Sequence, residues 1–170
     1  MIASRLEAAA RLGAPVIRAQ LGGTGDAARD STEGVQWAIE AFQKLLPVAK
    51  RLGVKMTIEN EGGAARWADW ILRIVLSTDP EWVGTCPDSR NFLLDDPYRE
   101  LGKIFPYAYH VHAKASHFDE VGEETKIDFA RVIRMLKDVG YQGCLSIEFV
   151  GPGDEIEGVK KTKALIEKYL

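Results

Sequence analysis

Four short hydrophobic runs of this chain each carry a side chain that could bind a metal ion. Glu59 follows VKMTI, Asp88 follows WVGTCP, His112 lies in YAYHVH and Glu148 follows GCLSI. In a parallel α/β barrel, side chains at the carboxyl ends of successive strands converge on one point. The four residues are therefore predicted to form one metal site.

The predicted ligand set consists of three carboxylates and one imidazole. Because these ligands are mostly hard oxygen atoms, the set favours Mn²⁺, Mg²⁺ or Co²⁺, and Zn²⁺ is also compatible with it. Such a cation, bound to the carbonyl and a neighbouring hydroxyl of a sugar or cyclitol, would polarise the carbonyl. It would also stabilise the enediolate that forms when the adjacent carbon loses a proton. The pattern indicates an enzyme that acts on a small molecule.

Each candidate also has an ordinary structural interpretation. Glu59 could pair with Arg66, Asp88 could form a turn through local hydrogen bonds, and His112 could be a core histidine. Polar side chains nevertheless occupy one face of the predicted fourth strand, at His110, His112 and Lys114. A polar stripe that faces a barrel interior is costly unless it is used, so we favour the functional interpretation.

The elements that must position these residues alternate between helix and strand. Predicted strands occupy residues 14–21, 54–59, 82–86, 107–114 and 143–149. Apolar residues at helical spacing predict helices over residues 3–12, 31–52, 64–76, 97–103 and 129–140, and from 154 onward. A glycine-rich segment, residues 22–25, lacks a phosphate-binding pattern and is predicted to be a tight turn.

Local signals set the helix boundaries. Pro47 is predicted to bend the second helix and Gly53 to end it. Asp96, followed by proline, has the spacing of an N-cap for the fourth helix. Thr125 and Asp128 have the spacing of a capping box before the fifth helix.

Strands joined by crossover helices predict an α/β fold with parallel strands, of the (β/α)8 TIM-barrel type. No linker-like segment divides the chain, so residues 1–170 are expected to form a single domain. A closed barrel needs eight strands, whereas only five are predicted here. We expect a partial barrel: either the C-terminal portion of a longer barrel that is missing its N-terminal strands, which we favour, or an open sheet whose edges pair in a homo-oligomer.

Composition narrows the class of function. The 170-residue chain has a net charge of -3 and 46% hydrophobic residues, as ordinary globular proteins do. It has no basic patch that would attract nucleic acid and no apolar stretch long enough to span a membrane, so neither partner is expected. The N-terminus has the pattern of an amphipathic helix, and we expect a cytoplasmic location. Cys86 and Cys144 are predicted to be buried, reduced thiols.

The runs IENEGG, WVGTCPDSRN, YHVHAK and DVGYQGCLSIEFVG resemble the xylose isomerase-like superfamily of sugar phosphate isomerases and epimerases. The resemblance extends from about Ala8 to the C-terminus and corresponds to the fourth through eighth strands of that barrel. It implies that Glu59, Asp88, His112 and Glu148 bind a divalent cation. It also implies that Glu59 and Glu148 exchange the proton of the substrate, as in ketose epimerases.

The resemblance further implies that Asn91, His110 and Lys114 bind substrate. Lys114 matches the lysine of the family's HxKD pattern, although Ala115 replaces its aspartate. Phe118 stands where ketose epimerases carry an arginine, which argues against a plain ketose 3-epimerase.

The preferred function is a metal-dependent isomerase or epimerase of a sugar, sugar phosphate or cyclitol. One alternative is a dehydratase of the inosose or dehydroshikimate type, which would use the same metal. The other is a catalytically silent partial barrel that acts as a binding or assembly fragment.

Overall fold

The computed structural model describes residues 2–21 and 31–170, so the predicted turn at residues 22–25 lies outside the described part. Five strands are present there: β1 (Val16–Arg18), β2 (Lys55–Glu59), β3 (Val83–Cys86), β4 (His110–Ala115) and β5 (Cys144–Phe149). The helices are α1 (Ile2–Leu12), α2 (Thr32–Leu52), α3 (Ala68–Leu76), α4 (Pro97–Ile104), α5 (Phe129–Asp138) and α6 (Glu155–Tyr169). All of the predicted strands and helices are therefore found.

The strands lie side by side in the order in which they occur in the chain. β1, β2 and β3 form one parallel sheet, and β4 and β5 form another. Parallel bridges from Thr85 to Ala108 and from Asp88 to His112 join β3 to the β4 region. Successive parallel strands with helical crossovers give a TIM-barrel-like α/β fold, and the five strands form part of such a barrel.

Capping residues set both ends of α2, and Gly53 ends the helix as predicted. Ser31 accepts a hydrogen bond at the start of α2, and Gly53 adopts a φ of 67° at its end, where only glycine is unstrained. The predicted capping box before α5 is wrong. Asp128 itself is the N-cap and accepts from the N–H of Arg131, while the Thr125 N–H donates to His117 O.

Several predicted element boundaries differ from the structure, among them those of β1, which is Val16–Arg18 rather than residues 14–21. The β4 strand begins at His110 rather than at residue 107, because Phe105–Tyr107 forms a 3₁₀ turn. The predicted helix over 64–76 is divided: a 3₁₀ turn at Gly63–Arg66 precedes α3, and the extended backbone of Trp67 separates the two. Pro47 lies within α2, which continues from Thr32 to Leu52, and the bend at Pro47 stays a prediction.

The core lies between the strands and the helices. The central strands β2 and β3 are almost fully buried, whereas β1 and β5 are only partly covered because each has one outer edge. This difference corrects one expectation: Cys86 on β3 is buried, but Cys144 at the start of β5 is exposed. Both cysteines are free thiols. None of the described helices combines the length and the apolar character that a bilayer-spanning helix needs.

Candidate metal centre

Four successive strands, or the residues just after them, each provide one of the predicted ligands. Glu59 is the last residue of β2, and Asp88 follows the end of β3 by two residues. His112 lies on β4, and Glu148 is the next-to-last residue of β5, in register with Lys114. Neighbouring parallel strands end at the same side of a barrel, which explains why residues so distant in sequence come together.

The four side chains meet at one place. Each offers one ligand atom, and these atoms all lie within 4.8 Å of one another. Two ligands bonded at about 2.1 Å to one ion lie at most about 4.2 Å apart, so small side-chain movements would complete a cation site. Glu59 and Asp88 are buried, whereas His112 and Glu148 are half-buried.

Each carboxylate oxygen of Glu59 contacts a side chain that can carry a positive charge. Its Oε1 lies 2.8 Å from His112 Nδ1, and its Oε2 accepts a hydrogen bond from the guanidinium of Arg18. Burial alone would raise the pKa of Glu59, but the hydrogen bond with His112 and the charge of Arg18 outweigh it and hold the pKa below its ordinary value. Glu59 is therefore an ionised, oriented carboxylate.

His112 is protonated at neutral pH, and a bound cation would have to displace that proton. Its hydrogen bonds with Cys86 and with Glu59 raise the pKa of His112 to about 10. The imidazole must lose this proton before Nδ1 can bind a metal ion. His110 lies edge-on to His112, with 5.4 Å between the ring centroids, and burial and the charge of His112 lower the pKa of His110.

Asp88 is fully buried and firmly positioned. Asn60 Oδ1 accepts from the backbone N–H of Asp88 at 2.6 Å, and Asn60 Nδ2 donates to its carbonyl at 3.1 Å. The Arg90 N–H donates to Asp88 Oδ1 at 2.8 Å, while Oδ2 has no aligned hydrogen bond. Burial raises the pKa of Asp88 to about 6.

The ammonium of Lys114 lies between the carboxylates of Asp88 and Glu148. Its Nζ donates to Asn91 Oδ1 at 2.9 Å and lies 3.1 Å from Asp88 Oδ2 and 3.4 Å from Glu148 Oε2. These two oxygens are buried without an aligned hydrogen bond. Buried carboxylate oxygens of this kind are costly unless a cation completes their coordination, so the residues present fit a divalent metal ion.

A cavity of about 460 Å³ opens beside the cluster. It is lined by Val16, Ile17, Arg18, Thr57, Cys86, His110, His112, Ser146, Ile147 and Glu148. This volume is within the range of small-molecule sites, and the mixture of apolar walls with a few convergent polar groups is typical of them.

The structure adds site residues that sequence reasoning missed. Arg18 ends β1 and contacts both Glu59 and Glu61, the latter at 3.9 Å. A charged residue at the end of an apolar strand was the available signal for Arg18, as it was for Glu59. Asn60 directly follows Glu59, and Cys86 lies two residues before Asp88, but neither position reveals its contact without the packed strands.

The family comparison agrees with this fold. The model of the family described as "Xylose isomerase-like TIM barrel" matches residues 1–169. The chain belongs to this family.

Similar solved structures share the fold at low sequence identity. A D-tagatose 3-epimerase-like protein is 23% identical with a TM-score of 0.79, and the match covers 99% of this chain and 66% of that one. The IolI protein with a bound zinc atom is 18% identical with a TM-score of 0.78, covering 99% and 68%. The 3-keto-D-glucoside 4-epimerase of E. coli is 20% identical with a TM-score of 0.74, covering 98% and 69%. The chain thus spans about two thirds of the length of these proteins.

Two curated relatives match shorter segments. The C-glycoside deglycosidase alpha subunit of Arthrobacter globiformis is 37% identical over 81 residues, which is 44% of this chain and 23% of that protein. The 3'-dehydrocarminate deglycosidase alpha subunit of a Microbacterium species is 42% identical over 48 residues, or 28% of this chain and 14% of that protein. The chain therefore aligns with less than a quarter of either relative's length.

Proposed function

We propose that this protein is a divalent-metal-dependent isomerase or epimerase that acts on a sugar, sugar phosphate or cyclitol by removing a proton next to a carbonyl. The observation that carries the proposal is the convergence of Glu59, Asp88, His112 and Glu148 within 4.8 Å beside an open cavity. These four residues would hold the cation, with Mn²⁺, Mg²⁺ or Co²⁺ preferred and Zn²⁺ compatible. When bound, the cation would polarise the substrate carbonyl and stabilise the negative charge that develops on its oxygen.

The residues of the chain would handle the proton and orient the substrate. Glu59 and Glu148 stand on strands separated by two others, and we assign one to remove the proton and the other to return it. Of the two, Glu148 is the better candidate for the base because its side chain is 42% exposed beside the cavity, whereas that of Glu59 is 1% exposed. Asn91, His110 and Lys114 would bind substrate oxygens.

A deglycosidase or dehydratase is a second candidate, and deglycosidase alpha subunits among the relatives favour it. The first step would be the same: a base removes the proton from the carbon next to the carbonyl. The group on the following carbon would then leave with its bonding electrons, as an aglycone or as hydroxide that becomes water. A 3-keto-glycoside is a substrate class suited to both candidates, because its carbonyl activates the carbons on either side.

Metal titration followed by thermal unfolding tests the shared part of these candidates. Binding to the folded state alone raises the melting temperature, so Mn²⁺ is expected to stabilise the wild type and to have little effect on Glu148→Gln. Glu155→Gln, which alters an exposed acidic residue of α6, is the matched control and should respond like the wild type. An unchanged melting temperature for the wild type would favour the catalytically silent partial barrel.

Substrate panels then distinguish the reactions. Ketoses and inososes incubated in deuterated water should gain deuterium next to the carbonyl if the protein epimerises or isomerises them. Release of an aglycone from a 3-keto-glycoside would indicate the elimination reaction instead. The homo-oligomer, the cytoplasmic location and the exclusion of nucleic acid and membranes stay predictions.

A further inference from the structure

Lys114 contacts the same carboxylate oxygens that would bind a cation. Its ammonium is 3.1 Å from Asp88 Oδ2 and 3.4 Å from Glu148 Oε2. In the described part of the chain, these two atoms and Asn91 Nδ2 are the buried side-chain polar atoms without a hydrogen-bond partner. The ammonium therefore provides charge at these oxygens without satisfying their hydrogen bonding.

The position of Lys114 is fixed by its strand and by its neighbours. It lies on the same face of β4 as His112, two residues further along, and directly opposite Glu148 of β5. Its side chain is only 13% exposed, and Asn91 Oδ1 accepts from Nζ at 2.9 Å. The ammonium of Lys114 cannot move far from Asp88 without breaking its hydrogen bond to Asn91 or becoming exposed to solvent.

We infer that Lys114 is an internal cation that competes with the metal ion for Asp88 and Glu148, and so sets the affinity of the site. The inference rests on the metal site of the proposed function and concerns how that site is regulated. A divalent ion bonded to Asp88 Oδ2 would lie no more than about 5 Å from the Lys114 nitrogen as it now stands. Binding must therefore overcome the repulsion of this ammonium and displace it from both carboxylates.

The size of the effect follows from Coulomb's law. Even with the screening of bulk water, a single charge about 5 Å from a divalent ion weakens its binding by about tenfold. Partial burial of the site makes this a lower bound.

Calorimetric titration with Mn²⁺ alone, at about pH 8 where the carboxylates are ionised, tests the inference. Lys114→Met removes the charge and keeps much of the side-chain length, so its Kd for Mn²⁺ should fall at least about tenfold below that of the wild type. Lys114→Arg retains the charge and should bind with nearly the wild-type Kd. If the methionine variant does not fold, Lys114→Gln serves in its place and carries the same expectation.

Lys103→Met is the matched control, because Lys103 pairs with Asp69 and Glu100 on helices outside the cluster. Its Kd should be that of the wild type. Detectable Mn²⁺ binding only in the variants that lack the charge at position 114 would also support the inference. A Kd that is unchanged or higher in Lys114→Met would overturn it while leaving the metal site intact. Failure of every protein to bind Mn²⁺ would overturn both the inference and the proposed metal site.

Discussion

The buried carboxyl group of Asp88 has the clearest pH signature among the individual residues of the site. Burial raises its pKa to about 6, while the pKa of His112 is raised to about 10 by hydrogen bonds with Cys86 and Glu59. Metal ligands must be deprotonated, so protons compete with a cation for both residues. Low pH therefore disfavours metal binding at two of the four positions.

We predict that the affinity for Mn²⁺ increases by about a thousandfold between pH 5 and pH 7: about tenfold because Asp88 loses its proton, and about a hundredfold because the cation must also displace the proton of His112. Above pH 7, binding should still release a proton from His112. Calorimetric titrations in buffers of different ionisation enthalpy measure both the affinity and the number of protons released. An increase of only about a hundredfold over this range would show that Asp88 does not bind the cation, and a constant affinity would show that neither residue does.

At the scale of the elements, the buried carboxylate of Glu124 holds the loop between β4 and α5 in place. Glu124 Oε1 accepts from the N–H groups of Ser116 and His117 and from the Ser116 hydroxyl, each at 3.1 Å. Its Oε2 accepts from the N–H groups of Lys126 and Ile127. Burial would raise the pKa of Glu124, but these backbone donors outweigh it and lower the pKa. The carboxylate thus fixes the chain directly after the strand that carries His112.

Glu124→Gln should lower the free energy of unfolding at neutral pH by about 1–3 kcal/mol, because an amide cannot accept hydrogen bonds at both of its ends. The stabilisation by Glu124 is present above its unfolded pKa of about 4.3 and is lost as the pH falls through its lower folded pKa. The difference between variant and wild type should therefore shrink in acid. Urea unfolding at several pH values measures it.

Exposed Glu120 in the same loop provides the control, since Glu120→Gln should leave stability nearly unchanged. If Glu124→Gln were as stable as Glu120→Gln, the five hydrogen bonds would make no net contribution to the free energy of unfolding.

At the scale of the whole molecule, two small sheets share one core. The sheet of β1 to β3 meets the sheet of β4 and β5 through the bridges at Thr85 and Asp88. Buried residues from both parts belong to one hydrophobic cluster. We propose that residues 1–170 form a single domain for this reason.

A single domain should unfold in one cooperative transition. The four tryptophans all lie between residues 37 and 82, so their fluorescence follows the first sheet and its helices. Far-ultraviolet circular dichroism follows the helices of the entire chain. The two melting curves should coincide, and two separate midpoints would show that the sheets form independent units.

The outer strands predict self-association. Each has one edge without a strand partner in the described part of the chain, and such edges pair readily with other chains. Sedimentation velocity should therefore give a mass above the 18.8 kDa of one chain. A monomer at micromolar concentration would contradict the expected homo-oligomer.

The sequence by itself determined the order of the elements and the chemistry available at the strand ends. Alternating helices and strands depend on local periodicity and capping, and Glu59, Asp88, His112 and Glu148 are recognisable because each lies in or just after an apolar strand. Parallel topology then requires those ends to meet. This is why the convergence of the four side chains could be predicted.

Tertiary structure alone decided which groups touch within the site. The pairing of Arg18 with Glu59 spans 41 residues, and the contact of Lys114 with Asp88 depends on side-chain direction as well as strand register. The exposure of Cys144 follows from the position of β5 at an edge, which its own residues do not encode. Such contacts depend on how distant segments pack, so local patterns in the sequence contain no signal for them.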